Sequence, residues 1–434
     1  MKKRGLFVCV LVVCLLVPLS VFGAGSKEAD AGKPVTLNLL MEDVPDTQII
    51  KNMLPEFEAK TGIKVNFEIV QYTDMHTKLI TQFLAPTSTY DVIEVDNYWA
   101  GEFPAAGWLE PLDEYVKKDN FDMSVYVPAM MEMVGYYMDK LYMIPMYNYT
   151  MALMYRNDVF TDKALHDKYR KQFGKDFAPP VSLDEYVEQC IFVQENTNMY
   201  GSAMQGGKGD PIAMEWSNYF FALGGRIYDD NWKATINGPI ALKAIELYKK
   251  NIAQGAPAGA TSYTLEDSLR MMSAGEAFSF ISYNWMLAQF QDEKVSKLKD
   301  KVQLVPVPGE SGLAGGWGWA IAANTPKKDA AWEFIKWVES PAVVKARALA
   351  GGAPTRYDVL RDAEVLAKYP YYSEVEKILE KARPVPEFEY SSQMVEMLGR
   401  ELSLIVSSGK DPQVALAQLE KDFNELAKKA NLQK

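Results

Sequence analysis

The chain of 434 residues is 48% hydrophobic, 24% charged and 12% aromatic, a globular composition long enough for two or three folded units. Its 46 basic and 57 acidic residues give a formal charge of −11 with no basic block; this argues against nucleic acid or an anionic membrane surface as partner, since both demand clustered cations. Three cysteines and two histidines argue against a disulfide scaffold, a zinc centre or a histidine-centred hydrolase.

In chain order, Lys2, Lys3 and Arg4 precede an apolar run from Leu6 to Leu19, and Val21-Phe22-Gly23 stands before a cleavage point near Ala24. This is the pattern of a secretory signal peptide over residues 1–23, with an apolar run short for a membrane span. Cys14 follows the bulky Val13 and is itself followed by apolar residues, so it reads as part of the leader and not as a lipid-attachment site. Cleavage leaves Cys190 as the single thiol, and residues 24–33 read as a flexible tether.

Val35–Met41 predicts a first buried strand, Asp46–Thr61 an amphipathic helix closed by Gly62, and Ile63–Val70 a second strand of period two. A further amphipathic stretch at Lys78–Phe83 leads to a third strand at Tyr90–Val95. Strand, helix, strand, helix, strand implies a parallel α/β sheet, whose ligands gather at the carboxyl ends of the strands. The loops to read are therefore Glu42–Asp46, Tyr72–Asp74 and Asp96–Trp99. From Asp158 on the pattern turns helical, with a Ser182/Glu185 capping box and helices over Ala241–Tyr248, Leu265–Met272, Asp329–Val338 and Asp411–Ala430. Gln303–Gly309 is extended. Two α/β lobes with segments crossing between them form the simplest assembly: 34–146 plus about 303–350 for one, 147–302 plus parts of 351–434 for the other.

Metal and nucleotide chemistry have no support in the spacing. His76 and His166 lack partners at metal spacing, no Gly-x-Ser-x-Gly elbow occurs, and Gly201–Gly209 lacks the Lys-Ser/Thr ending of a phosphate loop and reads as a flexible loop. Glu42, Asp43, Asp91, Glu94 and Asp96 offer carboxylate pairs, which an acidic chain also supplies by chance. The positive signal is aromatic. Asp96-Asn97-Tyr98-Trp99 follows a strand; Tyr147-Asn148-Tyr149, the Trp216/Asn218/Tyr219 group, Tyr283-Asn284-Trp285 and Gly315-Gly316-Trp317-Gly318-Trp319 complete the set. Rings present flat faces to C–H groups while Asn, Asp and Arg give directional hydrogen bonds, the combination a sugar requires. Trp108, Trp332 and Trp337 sit at packing positions instead.

Four segments together resemble the extracellular solute-binding proteins of sugar-type ABC importers, the family of maltose- and trehalose-binding proteins. They are Phe57–Val65; Tyr90–Trp99 with Gly107–Leu112; Asp139–Pro145 with Tyr155–Asp158; and Gly315–Gly318 with Ala331–Trp337 and Gly351–Arg356. The resemblance spans about residues 35–430. It implies a type II periplasmic-binding-protein fold of two hinged lobes clamping a ligand, with no catalysis, no cofactor and delivery to a membrane permease from the periplasm. It also implies that Glu42 or Asp43 and Asp96 accept hydroxyl hydrogens, Trp285 is a stacking platform, Gly315, Gly316 and Trp317 close the other side, and Arg356 donates. Tyr147 and Tyr149 stand where the family places an aromatic and an acid, so Tyr149 is a departure. With Trp99, Trp216 and Tyr283 from the aromatic set, these make the candidate site. The ligand expected is a sugar, oligosaccharide or sugar alcohol bound by a monomer. Iron (through Tyr136-Tyr137, in a segment expected to be buried, or Tyr371-Tyr372), a polyamine, or carbohydrate hydrolysis by Glu42 and Asp96 are the alternatives.

Overall fold

In the computed structural model, which describes residues 34–433 apart from 88 and 310, the alternating stretch Thr36–Glu42 forms β1. The helix Pro45–Thr61 follows and ends at Gly62, whose φ of 72° lets its N–H reach the Glu58 carbonyl at 2.9 Å. Then come β2 (Lys64–Val70), the helix Tyr72–Phe83 and β3 (Val92–Asp96), buried along its whole length as a central strand is. β1 pairs in parallel with β2 on one side and β3 on the other. A small hairpin, β4 (Tyr136–Tyr137) and β5 (Lys140–Leu141), precedes β6 (Ile144–Asn148).

The chain then leaves this sheet. β7 (Met151–Arg156), β8 (Tyr200–Ser202), β9 (Ala277–Tyr283) and β10 (Val302–Val305) build a second sheet in the order β10-β7-β9-β8. It returns as β11 (Gly316–Ile321), which slots antiparallel between β3 and β6, giving a first sheet of order β2-β1-β3-β11-β6. Helices cover both sheets, so the expected α/β architecture of two lobes holds. The passage back to the first sheet falls between Val305 and Gly316, later than the boundary near 303 read from the sequence. The two crossings run side by side: Tyr149 N–H donates to the Gly315 carbonyl (2.7 Å) and Met151 N–H to that of Leu313 (2.8 Å).

Three local expectations are corrected. Tyr72–Asp74 is the first turn of a helix, because Gln71 already carries the extended backbone of an N-cap position. The glycine run is no flexible surface loop: residues 201–207 are buried, and a Cβ at Gly201 would stand 2.0 Å from the Cys190 carbonyl oxygen. Tyr136, expected in a buried segment, is 47% exposed at the hairpin. The signal peptide and tether lie outside the described residues. Among the described residues no helix is long and apolar enough to cross a membrane.

Candidate functional site

β1 and β3 deliver Glu42 and Asp96 from their carboxyl ends, with Glu94 one turn of the pleat behind. The register of β11 sets Trp317 opposite both Asp96 and Tyr147, which fixes a ring beside the carboxyl-bearing strand end. From there rings follow one another in contact. Tyr72 and Trp99 stack at 5.9 Å between centroids, and each meets Trp317 edge-on at 5.9 and 5.4 Å. Trp317 lies 6.1 Å from Tyr147, which stacks on Tyr149 at 4.5 Å. Tyr149 stands in the crossing and touches Tyr283 (5.6 Å) and Trp285 (5.7 Å), both at the end of β9. One chain of aromatic rings thus runs from the first sheet to the second. Each such pair contributes about 0.5–1.5 kcal/mol beyond its buried area, so the chain is a stiff wall.

Polar groups are threaded along that wall. Tyr72 Oη donates to Asp96 Oδ2 (2.7 Å) and Tyr147 Oη to Glu94 Oε2 (3.0 Å), while the Glu42 backbone N–H donates to Glu94 Oε1. Burial pushes the Glu94 carboxyl up to about 8 and the Asp96 carboxyl up to about 7; burial, then the neighbouring Glu94 and Asp96, pushes Glu42 well up. Among the described residues, the buried Glu42 Oε2, an acceptor, and Trp285 Nε1, a donor, have no partner, as do the neighbouring Thr150 Oγ1 and Asn284 Oδ1. A buried unpaired donor or acceptor costs roughly 1–3 kcal/mol, which a ligand group can recover.

The structure brings together Glu42, Asp96, Trp99, Tyr147, Tyr149, Tyr283, Trp285 and Trp317. Gly315 and Gly316 lie in the same place by backbone: Gly315 accepts from Tyr149, and a Cβ at Gly316 would meet Met130 Cε at 2.4 Å. Three expected residues fall elsewhere. Asp43 is exposed and accepts from Gln71 Nε2 (2.9 Å). Trp216 is fully buried in the helix Asp210–Ala222 and stacks on Phe220 at 5.1 Å, outside the ring chain. Arg356 gives Nε and Nη2 to Asp358 (3.0 and 2.7 Å) and Nη1 to the Glu339 carbonyl (2.5 Å), so its fork is taken.

Sequence reasoning marked Tyr72–Asp74 as a loop to read but left Tyr72 out of the site, and it passed over Asp210. Tyr72 stands at the end of β2, the position that marked the other loops, but a helix begins there. Asp210 opens the helix Asp210–Ala222 after the glycine run, and its carboxyl group is raised by burial and by Glu396. Neither had a motif. Trp108, Trp332 and Trp337 do pack as expected, Trp108 stacking on Phe83 at 5.3 Å.

The model of bacterial extracellular solute-binding proteins matches residues 43–345. A probable amino-acid ABC transporter periplasmic-binding protein of Sinorhizobium fredii is 23% identical over 96% of each chain. The mannitol-binding protein of Pseudomonas aeruginosa is 22% identical over 78% of this chain and 74% of its own. Among solved structures, an ABC transporter solute-binding protein of Agrobacterium radiobacter K84 in complex with ribitol superposes with a TM-score of 0.81 at 27% identity, covering 90% of this chain and 98% of that one. The two-lobed architecture is therefore the type II periplasmic-binding-protein fold. Since the family pattern runs through most of the folded chain and the fold agrees with it, this protein belongs to the bacterial extracellular solute-binding proteins.

Proposed function

We propose that this protein captures a sugar, oligosaccharide or sugar alcohol between its two sheets and hands it, in the periplasm, to the permease of an ABC importer without transforming it. The observation that carries this reading is the ring chain from Trp99 to Trp285, lined by carboxyl groups and spanning both sheets. Flat apolar faces beside a few convergent hydrogen-bonding groups suit a polyhydroxylated molecule. Relatives whose names state mannitol or erythritol and L-threitol binding support the same class.

Hydrolysis by Glu42 and Asp96 is disfavoured by the family match, since the chain belongs to solute-binding proteins. An amino-acid ligand, suggested by the name of one relative, would call for a free cation at its carboxylate. The buried guanidinium groups of Arg347 and Arg356 are already bonded to carboxylates. One observation favours a second reading, a polyamine: the excess of buried acids along the cleft.

A thermal-shift screen followed by calorimetric titration tests the proposal with ribitol, mannitol, maltose, maltotriose, putrescine, spermidine and amino acids. A ligand at about a hundred times its Kd stabilises by about 2.7 kcal/mol, an easily read shift. Stabilisation by a sugar or polyol is expected. A response to polyamines or amino acids alone would overturn the reading.

A further inference from the structure

Beside the ring chain lies a cavity of about 270 Å³, walled by Tyr72, Thr73, His76, Tyr98 and Trp99 from the first sheet's loops and closed by Asp210 from the second lobe. The Asp210 carboxyl group has no hydrogen bond or ion pair among the described residues, although it opens a helix of 13 residues. The titratable groups that face it are Glu396 from the helix Ser391–Ser408, Asp96 from β3, and His76. His76 is the sole base of this group, and it is engaged elsewhere: its Nε2 is bonded to Glu102 at 2.9 Å and its ring lies between Trp99 (5.2 Å) and Phe103 (5.8 Å). The cavity therefore presents an unpaired, partly exposed carboxyl group among aromatic rings.

We propose that this cavity is a subsite for an ammonium group, so that the ligand is an amine-bearing polyhydroxyl compound, an amino sugar or amino alditol; this rests on the reading of the ring chain as a polyhydroxyl site. A hydroxyl can donate to Asp210 but leaves a carboxylate charge there uncompensated beside the aromatic walls. An ammonium ion neutralises the charge, donates up to three hydrogen bonds to Asp210 and neighbouring hydroxyls such as that of Thr73, and is attracted to the faces of Trp99, Tyr72 and Tyr98. The acid surplus of the cleft then has a use that a neutral ligand does not give it.

Calorimetric titration of the full protein near neutral pH with two matched pairs tests this: cellobiose against the unacetylated glucosamine dimer of the same linkage, and sorbitol against glucamine. In at least one pair the amine member should bind about tenfold tighter or more, a ratio that Asp210→Asn collapses towards one and that added salt reduces. Equal or weaker binding of both amines overturns the inference, as does a ratio that Asp210→Asn leaves intact. If ribitol or maltose binds while neither amine gains, the subsite alone fails. If no sugar, polyol or amine derivative binds at all, the polyhydroxyl reading fails with it. Tight binding of spermidine in place of all of these overturns both in favour of a polyamine.

Discussion

The carboxyl groups at the strand ends sit where their neutral form is favoured, and this links the binding wall to pH. Glu94 (about 8) and Asp96 (about 7) both lie above the ordinary carboxylate value, so the folded protein holds protons that the unfolded chain has released. Their contribution to stability therefore falls as pH rises from about 4 through the folded values and levels off above them, at roughly 1.4 kcal/mol per proton for each pH unit crossed. Glu94→Gln keeps the shape and removes one of these groups. Its melting temperature is expected to fall less between about pH 5 and pH 9 than that of the parent, and an unchanged pH profile would count against a buried neutral Glu94. Trp285 offers a ring face and an unpaired Nε1. Trp285→Ala should weaken sugar or polyol binding by an order of magnitude or more with little change in melting temperature, as read by calorimetry. Arg356 behaves otherwise. With its donors given to Asp358 and Glu339, Arg356→Ala should cost about 2 kcal/mol of stability and leave ligand affinity unaltered. These residues also show what a sequence carries. Rings directly after strands were legible because the strand end fixes where they go. The commitment of Arg356 was not, since its carbonyl partner at Glu339 is 17 residues away and meets it only in the folded chain.

Between elements, the loop after β1 is held by a buried ion network. Arg347, on the helix Pro341–Leu349, gives Nη2 to Asp46 Oδ2 (2.6 Å) and to the Met146 carbonyl (3.1 Å), and Nη1 to Glu339 Oε1 (2.8 Å). One guanidinium thus ties the start of the first helix to β6, one residue before Tyr147, and to the end of the helix Lys328–Val338. Glu339 also accepts from Trp319 Nε1 at 2.9 Å. Breaking a buried pair from one side strands the other charges, so Arg347→Met should destabilise by about 3 kcal/mol or more in chemical denaturation. A loss below about 1 kcal/mol would show that the network is not holding these elements. Element types were readable from periodicity: the helices at Pro45–Thr61, Lys328–Val338 and Pro412–Lys429 lie within a residue or two of their expected limits. The helix Tyr72–Phe83 was half hidden because its first turn is polar and aromatic and lacks an apolar repeat. At Ser182 the cap is half formed. Its hydroxyl accepts from Glu185 N–H (3.3 Å), but the Glu185 carboxylate turns to the Val181 N–H instead.

At the scale of the molecule, two sheets communicate through paired crossings at 149–151 and 313–315, and Asn284 Nδ2 donates to Asn148 Oδ1 (2.6 Å) where those crossings meet the second sheet. Short paired segments of this kind absorb a hinge rotation while leaving both sheets rigid. Sheet order was out of reach of the sequence. β11 follows every strand of the second sheet in the chain yet lies between β3 and β6, and nothing local to Gly316–Ile321 names its neighbours. Addition of a binding sugar or polyol should lower the radius of gyration in solution scattering as the lobes close, and an unchanged radius would argue for a site confined to one lobe. Hydrogen exchange with and without such a ligand tests the clamp most directly. Protection is expected together at the end of β1, at Asp96–Trp99, across Tyr149–Met151, at Tyr283–Met286 and at Gly315–Trp317. Protection restricted to one sheet, or lying away from these strand ends, would contradict a ligand held between the two.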